Sequence, residues 1–327
     1  MKKLLFATVF AGSLAALAVT LYLMLTIYSG DQGMSGGSET ALGAHSERVV
    51  VISQEQGSYV MDEIEKGART AAAGHGMMID FWGVYRSNDE ELLKQIDIAI
   101  ASKVDGIILE GADRPDFVRL VNKATEKGIP VITINSDAPG SLRKTYIGSN
   151  HYQEGILMGQ HLAQQLHGKG TIGVITNAES SDTDQLRLKG LREVLDRHAG
   201  VKLVFASEDA SKLQASMQTF DILNHVPDVI AFIGLPADSG KRIVEAVDFR
   251  SRRKDSQVFM FDASPQTKSM IKDGLIQAGL SQHYEDMGKM SVDLLQRWLD
   301  SERLPLDPSY YTPISVVGPA DVKEEAP

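Results

Sequence analysis

Short apolar runs alternate with amphipathic stretches from Arg48 to about Val317, and this alternation restricts the fold more than any other feature of the sequence. Arg48–Ser53 has the continuous β-branched character of a buried strand, and apolar residues at helical spacing follow it. Buried strands separated by helices are typical of parallel sheets that are covered on both faces. The pattern therefore predicts an α/β fold, and its length suits two lobes because single cores rarely grow past about 250 to 300 residues.

Further strands are predicted near residues 105–109, 130–134, 171–175, 201–205, 228–233, 257–261 and 275–281. The intervening helices are predicted near residues 152–165, 184–197, 213–223, 239–249 and 285–299. Two earlier helices are expected to begin at Ser87, which has the spacing of a capping box with Glu90, and at Pro115. Ligands of open α/β sheets bind beyond the carboxyl ends of the strands, so the residues after each strand are the candidate site.

Residues 4–28 form a nearly unbroken apolar run that follows Lys2 and Lys3. As a helix this run would be roughly 37 Å long, which is enough to cross a hydrocarbon core of about 30 Å. We predict an uncleaved signal anchor, with the rest of the chain outside the cytoplasm because the flanking lysines stay inside. Cleavage stays open, since small residues occur within the run. Residues 29–46 are rich in Gly and Ser and are predicted to be a flexible linker.

Composition and motifs exclude several classes of function. A formal net charge of -10 argues against a nucleic-acid partner. The chain has no cysteine, which excludes disulfides, thiol catalysis and a lipid-anchoring cysteine. Gly168, Gly170 and Gly173 match G-x-G-x-x-G, but they follow a helix and open a strand, contrary to the dinucleotide fingerprint. The histidines lack metal-ligand spacing, and no nucleophile has a matching base. We predict no cofactor, no metal and no enzymatic activity.

The residues after the predicted strands are mostly neutral hydrogen-bonding groups or carboxylates. Such a lining suits a neutral polyol, because carboxylates and amides pair with hydroxyl groups, whereas an anionic ligand would favour Arg or Lys. Tyr59 could cover the apolar face of a sugar ring or could simply pack under a loop. Asn135 and Asp137 could be turn residues, and Asp262 could cap the next helix. Both kinds of role stay open at this point.

Several motifs occur in an order that is similar to a known family. They include DGIIL from Asp105, KGIPVITINSD from Lys127, YIGSNHYQEG from Tyr146 and VFMFDASP from Val258. On these residues the chain resembles type 1 periplasmic sugar-binding proteins of the ribose-binding class. The resemblance implies two Rossmann-like lobes that close on a ligand by a hinge motion. After the predicted anchor at residues 1–28 and linker at 29–46, the resemblance implies one lobe from 47–149 with 283–311 and a second from 150–282 with 312–327.

The resemblance also implies three crossings between the lobes, near residues 149–150, 282–283 and 311–312. The family's ligand positions carry over onto Ser58, Tyr59, Asn135, Ser136, Asp137, Gln185, Asp262 and Gln282. Gln185 stands where ribose binders place an Arg, and Pro236 with Ala237 stands where they place Asn-Asp. The resemblance therefore implies a sugar or polyol in general, and it puts ribose itself in doubt.

Two functions share this ligand chemistry. One is a membrane-anchored sugar sensor whose closed form signals to a membrane partner such as a histidine kinase of a two-component system, since a permanent helix can pack against transmembrane segments. The other is the tethered solute-binding receptor of an ABC sugar importer, which would act with a permease. A hydrolase or oxidoreductase on the same architecture is a third hypothesis. The effector domain of a DNA repressor is disfavoured, because an apolar segment stands where a basic helix-turn-helix would be.

Overall fold

A computed structural model of the chain describes residue 20 and residues 46–85, 88–112, 114–176, 182–207, 213–237, 239–251 and 255–324. The chain divides into two compact units, Met1–His45 and Ser46–Pro327. The predicted anchor and linker lie outside the described residues, apart from Thr20 and Ser46. Within the part that is described, none of the helices combines the length and apolar character needed to cross a membrane.

The strands of the second unit are short, and along the chain they alternate with helices as predicted. They are β1 (Arg48–Ser53), β2 (Met78–Gly83), β3 (Gly106–Glu110), β4 (Val131–Ile134), β5 (Thr145–Gly148), β6 (Lys169–Ile175), β7 (Gly200–Phe205), β8 (Val229–Gly234), β9 (Gln257–Met260), β10 (Ala278–Ser281), β11 (Ser309–Tyr311) and β12 (Ser315–Val317). The helices are α1 (Tyr59–His75), α2 (Asp89–Ala101), α3 (Pro115–Glu126), α4 (His151–Gln165), α5 (Asp182–Leu195), α6 (Ala215–His225), α7 (Ser239–Phe249), α8 (Pro265–Lys272), α9 (Tyr284–Leu299) and α10 (Asp321–Glu324).

Two six-stranded sheets define two lobes. The first sheet has the order β11-β5-β4-β3-β1-β2, and all its pairs are parallel. The second has the order β12-β10-β9-β8-β6-β7 and is parallel except for β12, which runs antiparallel to β10. Each sheet carries a cluster of buried apolar residues on both faces. The predicted α/β fold with two parallel sheets is confirmed, with the single antiparallel strand β12 as the exception.

Helices α1 and α9 cross in unusually close contact on the first lobe. Gly67 and Gly288 lie at this crossing, where a methyl group on Gly67 would overlap the carbonyl oxygen of Glu285 and one on Gly288 would overlap that of Ile64. Only a residue without Cβ lets the two backbones approach so closely. The crossing holds the first residues of α1 next to the first residues of α9. Both helix starts contribute to the site described below.

The chain passes between the two sheets at three places. It leaves the first sheet after β5, leaves the second after β10, and connects β11 to β12. Buried Thr312 joins these crossings, because its hydroxyl donates to the carbonyl oxygen of Gln282 at 3.0 Å and its N–H donates to that of Gly148 at 2.9 Å. The residue-level boundaries of the two lobes stay a prediction.

Two local expectations were wrong or incomplete. Helix α2 begins at Asp89 and has Asn88 as its N-cap, since the Asn88 side chain accepts the N–H of Glu91 at 3.2 Å. Strand β2 was missed because it is an edge strand with alternating exposure and no continuous apolar run. The other unpredicted strands, β5, β11 and β12, are only three or four residues long, too short to show a period.

Candidate functional site

Two open clefts lie between the lobes, at the carboxyl ends of the parallel strands and along the crossings. The first cleft has a volume of about 850 Å³ and is lined by Gln54, Ser136 and Asp137 from the first lobe and by Gln185 and other residues of α5 from the second. The second cleft has a volume of about 560 Å³. It is lined by Tyr59 and Glu63 from the first lobe, by Lys268 from the second, and by Gln282 to Asp286 at a crossing.

The eight predicted ligand residues fall into three groups. Ser136, Asp137 and Gln185 line the first cleft. Tyr59 and Gln282 line the second cleft. Ser58, Asn135 and Asp262 line neither, although each is adjacent in sequence to a residue that does. The structure therefore brings candidates together at two separate clefts, and it does not gather all eight around one cavity.

Ser58 and Tyr59 open helix α1. The Ser58 hydroxyl accepts the N–H of Met61 at 3.3 Å, so it caps the helix. The Tyr59 ring meets the Tyr284 ring edge to face, with centroids 6.3 Å apart. Burial raises the pKa of the Tyr284 phenol, Arg187 opposes this rise, and Asp262, Glu154 and Tyr59 add to it. Tyr284 thus lies in the field of charged groups from the second lobe.

Asn135 follows β4 in the left-handed region, with φ of 60°, and the backbone fixes it from both sides. Its N–H donates to the carbonyl oxygen of Ile147 at 3.0 Å, and its own carbonyl accepts the Tyr146 hydroxyl at 2.9 Å. The side-chain amide donates to Glu110 Oε1 at 2.8 Å, while Glu110 Oε2 accepts the N–H of Gln54 at 2.8 Å. Burial raises the pKa of Glu110 above its usual value, against the opposing effect of these two hydrogen bonds.

Asp137 is engaged within its own loop. One oxygen accepts the Thr133 hydroxyl at 2.8 Å and the N–H of Ala138 at 2.7 Å, and the carboxylate forms an ion pair with Arg143, whose Nε lies 2.5 Å from Oδ1. The Arg143 side chain is only 10% exposed, so this pair is well shielded from water. These contacts give Asp137 a structural role in the turn after β4, the alternative that the sequence had left open.

Asp262 is buried at the start of helix α8. Its carboxylate accepts the N–H of Ser264 at 3.0 Å and the Thr267 hydroxyl at 2.9 Å. The cap itself is Ser264, whose hydroxyl accepts the N–H of Thr267. Asp262 therefore supports the cap from outside the helix.

A buried ion pair lies between helices α4 and α5. Glu154 is fully buried, and its Oε2 accepts from Arg187 Nε at 2.7 Å and contacts His151 Nδ1 at 3.1 Å. Burial alone would raise the pKa of Glu154, but Arg187 and His151 together hold it below its usual value. Arg187 also stacks over the Phe261 ring, 5.2 Å from its centroid, and donates to the carbonyl oxygen of Leu235. The pair thus ties α4 to α5 and to the ends of β8 and β9.

The described lining of the first cleft is dominated by neutral hydrogen-bonding groups. Amides and hydroxyls come from Gln54, Ser136, Ser149, Asn150, Thr183 and Gln185. Lys189 is the one lysine among these described lining residues, and the carboxylate of Asp137 is already neutralised by Arg143. Aromatic hydroxyl side chains, including Tyr146 and Tyr311, complete the wall. Such a surface can pair with many hydroxyl groups and can cover an apolar ring face.

Two parallel-rich lobes with clefts between them at the strand ends define a two-lobed binding protein, and comparison with known families agrees. Residues 49–303 match the periplasmic binding protein domain family, so the chain belongs to that family, and the family implies an extracytoplasmic location. Within it the chain is of the type 1, sugar-binding kind, and its relatives bind sugars and are not enzymes. The predicted resemblance to type 1 sugar-binding proteins and the predicted absence of enzymatic activity are confirmed, whereas the membrane anchor stays a prediction.

Three relatives illustrate the likeness. The ribose import binding protein RbsB of Bacillus subtilis is 22% identical over 231 residues, 70% of this chain and 74% of that protein. The crystal structure of GanP, a glucose-galactose binding protein from Geobacillus stearothermophilus, has a TM-score of 0.77 and 30% identity, covering 85% of this chain and 99% of GanP. A chain of the XylFII-LytSN complex has a TM-score of 0.73 and 26% identity, covering 85% of this chain and all of that one.

Three residues that line or support the site, Glu110, Arg187 and Tyr284, were not among the predicted site residues. Glu110 ends a buried strand and Tyr284 follows Gln282 by two positions, so proximity to strand ends could have indicated both. Nothing in the sequence pairs Arg187 with Glu154, because 33 residues separate them and only the packing of α4 on α5 brings them together.

Proposed function

We propose that the chain binds a sugar or related neutral polyol between its two lobes, outside the cytoplasm, and that closure of the lobes is its functional motion. The observation that carries the proposal is the first cleft, in which neutral amides and hydroxyls from both lobes face one space of about 850 Å³. A ligand that pairs with both walls stabilises the closed form, because only that form presents both sets of groups to it. The three crossings joined by Thr312 are the proposed hinge.

A thermal-shift panel tests this proposal directly. The full chain in detergent is heated with pentoses, hexoses, deoxy-sugars and sugar alcohols, and a true ligand present at about 100 times its dissociation constant stabilises by roughly 2.7 kcal/mol. At least one neutral sugar or polyol is expected to raise the midpoint and to be recovered unchanged afterwards. If no member of the panel moved the midpoint, the proposed ligand class would be wrong. A sugar that was consumed would indicate the enzymatic alternative instead.

Asp262→Asn is the matched variant for the panel. Alanine would remove the acceptor of Ser264 and Thr267 and so would confuse folding with binding. Asparagine keeps an acceptor oxygen for Ser264, and the Thr267 hydroxyl can turn to accept from the new amide. If Asp262 contacts the ligand, the sugar-induced rise of the melting midpoint should shrink in this variant, while the unliganded midpoint stays nearly constant. An unchanged sugar shift would leave Asp262 with its helix-supporting role alone.

The second part of the proposal concerns the partner. We propose that residues 4–28 anchor the chain in the membrane and that the liganded form signals to a membrane partner such as a histidine kinase. The apolar run next to Lys2 and Lys3 supports the anchor. The likeness to a chain that was solved in the XylFII-LytSN complex supports a protein partner. The alternative is a tethered receptor of an ABC sugar importer, supported by the likeness to a ribose import binding protein.

Membrane fractionation tests the anchor. The full chain is expected to resist alkaline carbonate extraction at its uncleaved mass, whereas Leu14→Arg with Leu17→Arg is expected to be released, since each central Arg costs about 2.5 to 3.5 kcal/mol on insertion scales. Release of the unaltered chain at reduced mass would show signal-peptide cleavage instead.

Deletion of the gene distinguishes the two proposed partners. Sensing predicts loss of a sugar-dependent transcriptional response with retained uptake of labelled sugar, and import predicts loss of uptake.

A further inference from the structure

A half-buried carboxylate holds one of the predicted ligand residues in a fixed orientation. Glu110 lies at the end of β3, and each of its two oxygens accepts one hydrogen bond, from the amide of Asn135 and from the backbone of Gln54. An ionised carboxylate can only accept, so Asn135 must turn its NH₂ group toward Glu110. The amide oxygen of Asn135 and its second N–H therefore point away from Glu110.

The pair is adjacent to the wall of the first cleft. Gln54, which donates its backbone N–H to Glu110, also donates its side-chain amide to the carbonyl oxygen of Gly111 at 2.6 Å. Gly111 in turn donates its N–H to the carbonyl oxygen of Ser136 at 2.9 Å. Gln54, Gly111 and Ser136 all line the first cleft. Asn135 is half-buried between Ser136 and the end of β4, and its left-handed backbone is bound on both sides.

We infer that Glu110 is a positioning residue that fixes the Asn135 amide so that the edge of the first cleft beside Ser136 offers a ligand hydroxyl an acceptor oxygen backed by a half-buried negative charge. The inference rests on the proposed sugar-binding function and narrows its ligand class. Hydroxyl groups that donate are favoured at this edge. Carboxylate or phosphate groups are disfavoured, because their negative charge is repelled by the nearby Glu110 carboxylate and their oxygens cannot donate to the Asn135 oxygen. The ligand is thus a neutral sugar or polyol, in preference to a uronate or a sugar phosphate.

A double-variant cycle tests this arrangement. Asn135→Asp places a second carboxylate against that of Glu110, and the two repel each other. This variant is expected to lower both the unliganded melting midpoint and the affinity for the sugar. Glu110→Gln offers its amide to Asn135 and turns the Asn135 oxygen inward, so sugar affinity is expected to fall about fivefold, the value of one typical net hydrogen bond. Glu110→Gln with Asn135→Asp restores a donor-acceptor pair with an oxygen pointing outward, so affinity is expected to recover to within a few fold of the original chain.

Glu126→Gln is the control, because it removes the same charge from an exposed residue of the same lobe, at the end of helix α3. It is expected to leave the affinity unchanged. The inference is overturned if Glu110→Gln behaves like Glu126→Gln, or if the double variant binds no better than Asn135→Asp. The unliganded midpoints measure the coupling between residues 110 and 135 without any sugar. If the midpoints show coupling but the unaltered chain binds no sugar, the proposed function is contradicted. If the unaltered chain binds sugar but the midpoints show no coupling, only the role of Glu110 is contradicted.

Discussion

Replacing Arg187 by leucine is expected to lower the free energy of unfolding by about 3 to 5 kcal/mol, since it leaves the carboxylate of Glu154 buried without its main counter-charge. For a chain of this size the melting midpoint should fall by roughly 6 to 20 °C. The side chain of Glu154 has no exposed surface, and its Oε1 already lacks a hydrogen-bond partner among the described residues, so His151 alone would remain to compensate it. Thermal or urea unfolding of the unliganded protein measures the effect.

A second variant distinguishes the loss of the ion pair from the cost of leaving Glu154 buried without a partner. With Glu154→Leu added to Arg187→Leu, no unpaired charge remains, so most of the stability should return, as it does when buried pairs are replaced by apolar residues. Arg197→Ala is the control, because Arg197 forms an exposed pair with Glu193 that is worth no more than about 1 kcal/mol. If Arg187→Leu lost no more stability than Arg197→Ala, the buried pair would not be a stabilising element of the second lobe.

The sign of the pH dependence follows from the same pair. The pKa of Glu154 is held below its unfolded value of 4.5, so the contribution of the pair is present above about pH 4.5 and is lost as the pH falls through the folded-state pKa. Glu110 acts in the opposite direction, because burial raises its pKa. Its contribution to the free energy of unfolding is largest below its unfolded-state pKa and declines as the pH rises through its folded-state pKa. The Glu154→Leu with Arg187→Leu variant should therefore lose less stability on acidification than the original chain.

The fold was predictable because its signals are local. Continuous apolar runs such as those in Arg48–Ser53 and Val229–Gly234 indicate buried strands whatever lies beside them. Helix α7 was predicted with its observed bounds because its apolar residues recur at a clear helical period. Strand β12 lacked such a signal. It is three residues long, and it is a strand only because the chain returns from the first lobe to pair with β10.

The site was predictable only in part, because hydrogen-bond partners come from distant segments. The sequence placed Asn135, Ser136 and Asp137 at a strand end, but it could not show that Asp137 is engaged by Arg143 or that Asn135 is held by Glu110, which lies 25 residues away. The turn role and the ligand role are both compatible with the residue types. Only the register of β3 beside β4 decides which side chains face one another.

Gly67→Ala is expected to destabilise the chain by at least about 3 kcal/mol, at or above the upper end of the usual overpacking range. The added methyl group would overlap the backbone carbonyl of Glu285 and press on the backbone nitrogen of Lys289. No side chain can rotate away from a clash with backbone, so helices α1 and α9 must separate. Because Tyr59 and Tyr284 open these two helices, their ring contact should loosen as well, and sugar affinity should fall together with the melting midpoint.

Gly74→Ala is the matched control on the same helix. Gly74 is exposed in α1, and an added methyl group meets no atom within 4 Å. The substitution removes the same backbone freedom and should stabilise the chain by up to about 1 kcal/mol, the difference in helix propensity between the two residues. Opposite signs at positions 67 and 74 in thermal unfolding would establish close backbone contact as the cause. A stabilising effect at both positions would mean that α1 and α9 do not cross at Gly67.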